Sequence, residues 1–347
     1  MSSAAPNWFS SVMTDLLAGR DLAGPIMRGL MADLLAGTCG EIETVALLIA
    51  LRAKGESVGE LAEAARVLRE HMIVLETSAA GVLDTCGTGG DETGTFNIST
   101  ATAIVVAAAG IPVVKHGGRA VTSPSGSSEV LEALGVSIQK DAGAVRNCLD
   151  RAGIAFCFAP LFHPALAHLA PLRRRLRVRT IFNCLGPLAN PARAAYQLLG
   201  VGHKKLLDPM AGALGRLGIR HAFLVCGSDG LDEVTLGGIS HVREVRGNQV
   251  TSLEWQPGDF GLEPCEISEL AAANPAASAE IIRETLEGRD GPATRIVLAN
   301  AAAALLAAEQ VGSLREGVER ARSTLRDGRA RQVLERLVTA SAAAPQD

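Results

Sequence analysis

Up to about Met72, apolar residues recur at helical spacing, as at Leu61, Ala65 and Leu68. Thr38-Cys39-Gly40-Glu41 and Ser57-Val58-Gly59-Glu60 each place a Glu three residues after a Thr or Ser. At that spacing the two side chains cap backbone N–H groups at a helix start. The chain therefore predicts helices joined by a short turn at Lys54–Ser57, in a small helical bundle.

Near Val82 the pattern changes to short apolar runs that end in glycine-rich turns and alternate with helical stretches. Strands are expected at Gly81–Thr85, Ile111–Lys115, Ile154–Phe158 and Ala222–Cys226, and helices at Ser99–Ala109, Val130–Leu134 and Ala142–Ala152. Such alternation implies parallel strands joined by crossover helices. Val242–Val245 and Val250–Leu253 flank Gly247-Asn248, a hairpin signal. The C-terminal part is helical, notably Arg295–Ala308, and the tail Ala342–Asp347 is expected to fray. The fold class is α/β, a mainly parallel central sheet with flanking helices, plus a smaller all-helical N-terminal domain.

Composition narrows the function classes. The 347 residues are 48% hydrophobic but only 3% aromatic, so the core is aliphatic and the chain folds. A net charge of −4 with interspersed signs argues against nucleic acid as a partner. The densest basic run, Arg173, Arg174, Arg175, Arg177 and Arg179, reads as a solvated helix face with one or two anion ligands. The seven cysteines form no Cys-x-x-Cys or Cys/His cluster, which disfavours a zinc site or disulfides and fits a reducing cytoplasm. Met1–Ser11 lacks a signal-peptide pattern, and Ile104–Val114 and Val297–Ala308 are too short to span a bilayer.

Four loops carry candidate chemistry. Gly87-Thr88-Gly89-Gly90-Asp91 follows a strand, where glycines allow backbone N–H groups to form an anion cradle. Alone such a loop is equally a tight turn. Thr95-Phe96-Asn97-Ile98-Ser99-Thr100 leads into a helix, whose N-terminal N–H groups favour phosphate, although Ser99 or Thr100 as a simple cap accounts for one residue. Lys115-His116-Gly117-Gly118-Arg119-Ala120-Val121-Thr122-Ser123 leaves a second strand. There Lys115 supplies a point charge, and Thr122, Ser123 and Ser127 supply hydroxyls. Ligands of open α/β sheets bind beyond the carboxyl ends of strands, so the two loops could meet on one ligand. Asp232 and Glu233, in Asp229-Gly230-Leu231-Asp232-Glu233, suit Mg²⁺, which shares oxygen ligands with substrate phosphates. His163 and Arg173 receive no role from the residues alone.

These motifs, together with Ser125–Val136 and Arg179–Pro191, resemble in order and spacing the anthranilate phosphoribosyltransferase family over roughly Leu30 to Leu306. The resemblance implies a helical domain (residues 1–78, with a contribution from about 163–188) and an α/β domain (79–347) with the active site between them, in a homodimer. It implies transfer of phosphoribose from 5-phosphoribosyl 1-diphosphate to the anthranilate amine, with Mg²⁺, in tryptophan biosynthesis. By motif, Gly87, Gly90, Asp91, Thr95, Asn97, Ile98, Ser99, Thr100, Lys115 to Ser123 and Ser127 would contact the donor. Ser99, Asp232 and Glu233 would hold Mg²⁺, and Gly87, Gly118, Arg173, His116 and His163 would face anthranilate.

The chain departs from the family at Gly118, where Asn is usual, at Pro124, and at Arg177, where glycine is common. A different aromatic acceptor, a nucleoside phosphorylase of the same fold and a non-catalytic binding protein are the rival readings. The second lacks Gly-Thr-Gly-Gly-Asp, and the third leaves Asp232 and Glu233 without a purpose.

Overall fold

A computed structural model describes residues 7–91, 93–119, 125–138 and 140–343. The N-terminal part is four helices: α1 (Phe9–Leu17), α2 (Gly24–Ala36), α3 (Glu41–Lys54) and α4 (Val58–Glu70). The capping box at Ser57 and Glu60 forms as expected. The one expected at Thr38 does not. Gly40 occupies the cap position of α3, and the Thr38 hydroxyl donates instead to the Asp33 carbonyl at the end of α2.

Seven strands make one sheet: β1 (Leu83–Gly87), β2 (Val113–Gly117), β3 (Ile154–Phe158), β4 (Tyr196–Gly200), β5 (His221–Gly227), β6 (Ser240–Arg246) and β7 (Gln249–Trp255). Their order is β3-β2-β1-β4-β5-β6-β7. The first five run parallel, and β6 and β7 add antiparallel edges through the hairpin at Gly247-Asn248. Central β4 was not anticipated from sequence. Polar Gln197 interrupts its apolar run, yet this side chain is buried and donates to the Pro187 carbonyl at 2.8 Å.

Side chains alternate across the sheet. Leu198, Phe223 and Val225 enter one core with α5 (Ile98–Ala108) and the helix Pro292–Ala307. Leu199, Leu224 and Cys226 enter another with Leu47, Leu61 and Leu68 of α3 and α4 and with Ile181, Leu185 and Met210 of the helices Ile181–Leu188 and Leu207–Arg216. The N-terminal helices thus share a core with one face of the sheet. The helix Arg329–Ala342 runs into the tail expected to fray, and residues 344–347 lie outside the described ones.

Candidate active site

Three strand ends converge. In the loop after β1, Gly89 and Gly90 adopt φ of 64° and 78°, conformations that favour glycine. A Cβ on Gly87 would lie 2.5 Å from Asp232 Oδ2, and one on Gly200 would lie 1.5 Å from the Asp232 carbonyl oxygen. Glycine at both positions lets the loop after β5 close against the ends of β1 and β4. The Gly89 N–H then donates to Asp232 Oδ2 at 2.9 Å.

The N-terminus of α5 faces the same place. Neither Ser99 nor Thr100 caps it, since Asn97 holds the cap position without a side-chain cap bond. Ser99 Oγ instead accepts from Lys115 Nζ at 2.9 Å and bonds to Glu233. The Thr100 hydroxyl donates to Asn97 Oδ1, and the Ile98 side chain is buried in the core. Thr100 therefore orients Asn97, and Ile98 offers the site its backbone alone. Thr95 pairs with Ala271, and the Asn97 N–H donates to Ser278 Oγ at 2.9 Å, anchoring this segment to the C-terminal part.

Lys115 is buried and donates to the Thr85 carbonyl (2.5 Å) as well as to Ser99. Two of its three donors are thereby engaged. Burial lowers its pKa, opposed by the charges of Asp84, Glu233 and Asp232 among others. Burial also pushes Glu233 up to about 8, with Lys115 opposing the rise and Asp91 adding to it. Desolvation holds Asp232 well above the usual carboxylate range, reinforced by Asp91 and Glu233. Closely set carboxylates that resist ionisation are a donor set that a divalent cation would relieve. Among the described residues no three acidic, His or Cys side chains form a metal cage. Mg²⁺, which usually binds through one or two carboxylates plus substrate phosphates, fits such a set. Asp229, by contrast, bonds to Thr235 and shapes the loop.

The second loop is only partly described. Gly117 packs against Ser127, whose Oγ would be 2.3 Å from a Cβ there. Arg119 faces away toward Glu132 (3.6 Å) and the Phe158 ring. Ala120, Val121, Thr122, Ser123 and Pro124 lie outside the described residues.

Next to Lys115, the rings of His116 and His163 pack with centroids 4.9 Å apart and planes tilted by 52°. Burial lowers His116 to about 3, helped by the His163 charge, and lowers His163 to about 4, so both rings are neutral near pH 7. His116 Nδ1 is 3.0 Å from the Gly186 carbonyl. The Ala189 carbonyl lies beside the His163 ring and favours its protonation without reaching hydrogen-bond geometry. Arg173 lies 5.3 Å over the Phe182 ring and pairs with no carboxylate among the described residues, leaving a partly desolvated cation for an incoming anion. The basic run divides as its context requires: Arg174, Arg175 and Arg177 are exposed, Arg173 is half-buried and Arg179 is buried. Arg177 ends the helix Ala170–Leu176 at a φ of 50°, in the left-handed region where the family's glycine would be unstrained.

Two further residues escaped sequence reasoning. Arg179 donates to the Gly89 carbonyl (3.0 Å), while its own carbonyl accepts from Arg52 of α3 (3.1 Å). It thus ties the glycine loop to the N-terminal helices. Fully buried Asp84 accepts from the His116 N–H at 3.3 Å and from Asn190, beneath Lys115. Both act through partners remote in sequence, so no local pattern gives them these roles.

Two family models match the chain: the Glycosyl transferase family, helical bundle domain over residues 10–72, and the Glycosyl transferase family, a/b domain over residues 79–331. Anthranilate phosphoribosyltransferase of Chromobacterium violaceum is 46% identical, with 95% of this chain and 97% of that protein aligned. The Thermomicrobium roseum enzyme is 48% identical over 94% and 95%. The crystal structure of the Thermus thermophilus enzyme superposes with a TM-score of 0.89 at 39% identity, covering 96% of this chain and 99% of that one. The Saccharomyces cerevisiae enzyme in complex with PRPP and Mg gives 0.88 at 28% identity, covering 97% and 98%. With near-complete coverage in sequence and in fold, this chain belongs to the anthranilate phosphoribosyltransferase family.

Proposed function

We propose that this chain transfers the phosphoribosyl group of 5-phosphoribosyl 1-diphosphate to the anthranilate amine, releasing diphosphate, in tryptophan biosynthesis. The observation that carries the reading is the meeting of the Gly87–Asp91 loop, the N-terminus of α5, Lys115 and the Asp232–Glu233 pair at one edge of the sheet. Donor contacts fall to the loop backbone, Asn97 and Ser99, and the anthranilate carboxylate to Arg173.

Breaking the C1–oxygen bond builds positive charge on the ribose and negative charge on the diphosphate. Ser99, Asp232 and Glu233 would hold Mg²⁺, which supplies charge neutralisation of the leaving group when bound. Lys115 fixes the Ser99 hydroxyl and adds positive charge to the same region. The anthranilate amine is a neutral nucleophile. The neutral His116–His163 wall suits its aryl ring, and positioning contributes most of what remains.

The domain boundary falls at 78/79, with residues 163–188 joining the helical part. The shared core of α3, α4 and Ile181–Leu188 supports that grouping. The chain forms a homodimer through α1 and α3, which expose Leu17 (76%), Ile42 (79%) and Ile49 (39%). It acts in the cytoplasm, without nucleic acid or membrane. All seven cysteines are free, and no described helix is long and apolar enough to cross a bilayer. Loss of anthranilate fluorescence on adding phosphoribosyl diphosphate tests the reaction. Fluorescence that stays constant at saturating donor and Mg²⁺ would refute it.

A further inference from the structure

A cleft of about 530 Å³ opens at the opposite edge of the sheet, lined by the residues that precede β4 (Arg193, Ala195) and β5 (Ile219, Arg220) and by α4 (Arg66, Arg69). The carboxyl ends of the same strands bear Gly200 and the loop to Asp232, so five residues of β4 put the two sites about 17 Å apart. Five arginines, with Arg216 the fifth, surround the cleft in a chain of net charge −4.

Their partners divide them. Arg66 pairs with Glu63, Arg220 pairs with Glu309 at 2.6 Å, and Glu70 at the rim is held by Arg28 at 2.7 Å. Arg69, Arg193 and Arg216 pair with no carboxylate among the described residues. Arg69 is the fixed member. Its Nε donates to the Leu188 carbonyl (2.7 Å) and its Nη1 to the Leu217 carbonyl (3.3 Å), while Nη2 has no partner among the described residues. Burial and the like charges of Arg193 and Arg66 lower its pKa to about 10. Arg193 keeps a left-handed φ of 49°, a strained backbone for a residue with a side chain. Three unpaired guanidiniums, one immobilised, in a concavity of small-ligand size repel one another unless an anion joins them.

We propose that this cleft is a second anion site, which takes a small multivalent phosphate compound between Arg69, Arg193 and Arg216. Diphosphate has the charge and span to bridge the three cations, whereas orthophosphate reaches fewer. The site lies away from the donor loops and does not depend on which reaction those loops perform.

The test is metal-free calorimetric titration of the full chain with inorganic diphosphate, beside the Arg193→Ser and Arg216→Ser double variant. Both side chains are exposed, so the variant is expected to fold and to keep wild-type turnover. The wild type should bind one more diphosphate per chain than the variant, and orthophosphate should bind that site at least about tenfold more weakly. Thermal unfolding gives an independent readout. Without anion the variant should melt at or above the wild-type temperature, because repulsion is relieved, and diphosphate should raise the melting temperature of the wild type more than that of the variant. Equal stoichiometry and affinity in the two proteins would overturn the site. So would an orthophosphate affinity matching that of diphosphate, or a variant several degrees less stable in the absence of anion.

Discussion

The proposed donor side and the proposed acceptor side of the active site are built on opposite principles. On the donor side nearly every group is braced by another. Gly89 holds Asp232, Lys115 holds Ser99, and Ser99 bonds to Glu233. On the proposed acceptor side two neutral histidines pack with their rings tilted by 52°, one arginine rests on a ring, and among the described residues only the Ala159 Cβ comes within 4 Å of a Cβ built on Gly118. The difference matches the proposed chemistry. A departing diphosphate needs fixed charge at a fixed place, while a neutral aryl amine needs a shaped, uncharged wall and one cation for its carboxylate.

The largest effect should come from removing the donor-side charges. Asp232→Asn with Glu233→Gln is expected to lower kcat by about 100-fold or more, with a smaller change in the anthranilate KM. Steady-state kinetics that retain kcat within twofold would make the two sides alike in importance.

Next comes the histidine pair. His163 titrates near 6.5 when unfolded and near 4 in the folded chain. Above pH 6.5 neither state binds the proton, and its contribution to stability is full. As the pH falls from 6.5 toward 4, the unfolded state takes up the proton and that stability is lost, about 2 kcal/mol by pH 5. Urea unfolding at pH 7 and pH 5 should show this loss in the wild type and a smaller one in His163→Gln. Equal losses would mean that the wall is not a buried neutral pair.

Arg177→Gly should relieve the left-handed strain and raise stability by about 1 kcal/mol, measured by the same unfolding. A loss of stability would show the helix end to be held by the arginine side chain. The smallest effect concerns Gly118. Its backbone is not left-handed, and among the described residues only the Ala159 Cβ comes within 4 Å of a Cβ built there, so Gly118→Asn should be accommodated. A several-fold lower anthranilate KM is expected from the added hydrogen-bonding side chain. An unchanged or higher KM would count against Gly118 as an acceptor contact.

Legibility in the sequence followed the same divide. The donor loops were readable because glycine runs after apolar strands report a local need, the close approach of backbone to an anion or to Asp232. Asp84 and Arg179 were not, since each matters through partners distant in sequence: His116 and Asn190 for one, Arg52 and Gly89 for the other. The parallel strands could be read from apolar runs ending in glycine, whereas β4 was hidden by Gln197, a polar residue made tolerable by its buried hydrogen bonds. Thr38 had cap spacing but lost the position to Gly40. Spacing identifies a candidate cap, and packing decides which residue takes it.

The central claim is that buried carboxylates and Lys115 form a donor site completed by a divalent cation. Anthranilate consumption measured with phosphoribosyl diphosphate in excess chelator, then with Mg²⁺ restored, tests it most directly. Turnover should vanish in chelator and return with Mg²⁺. Undiminished turnover in chelator would contradict the assignment of Ser99, Asp232 and Glu233.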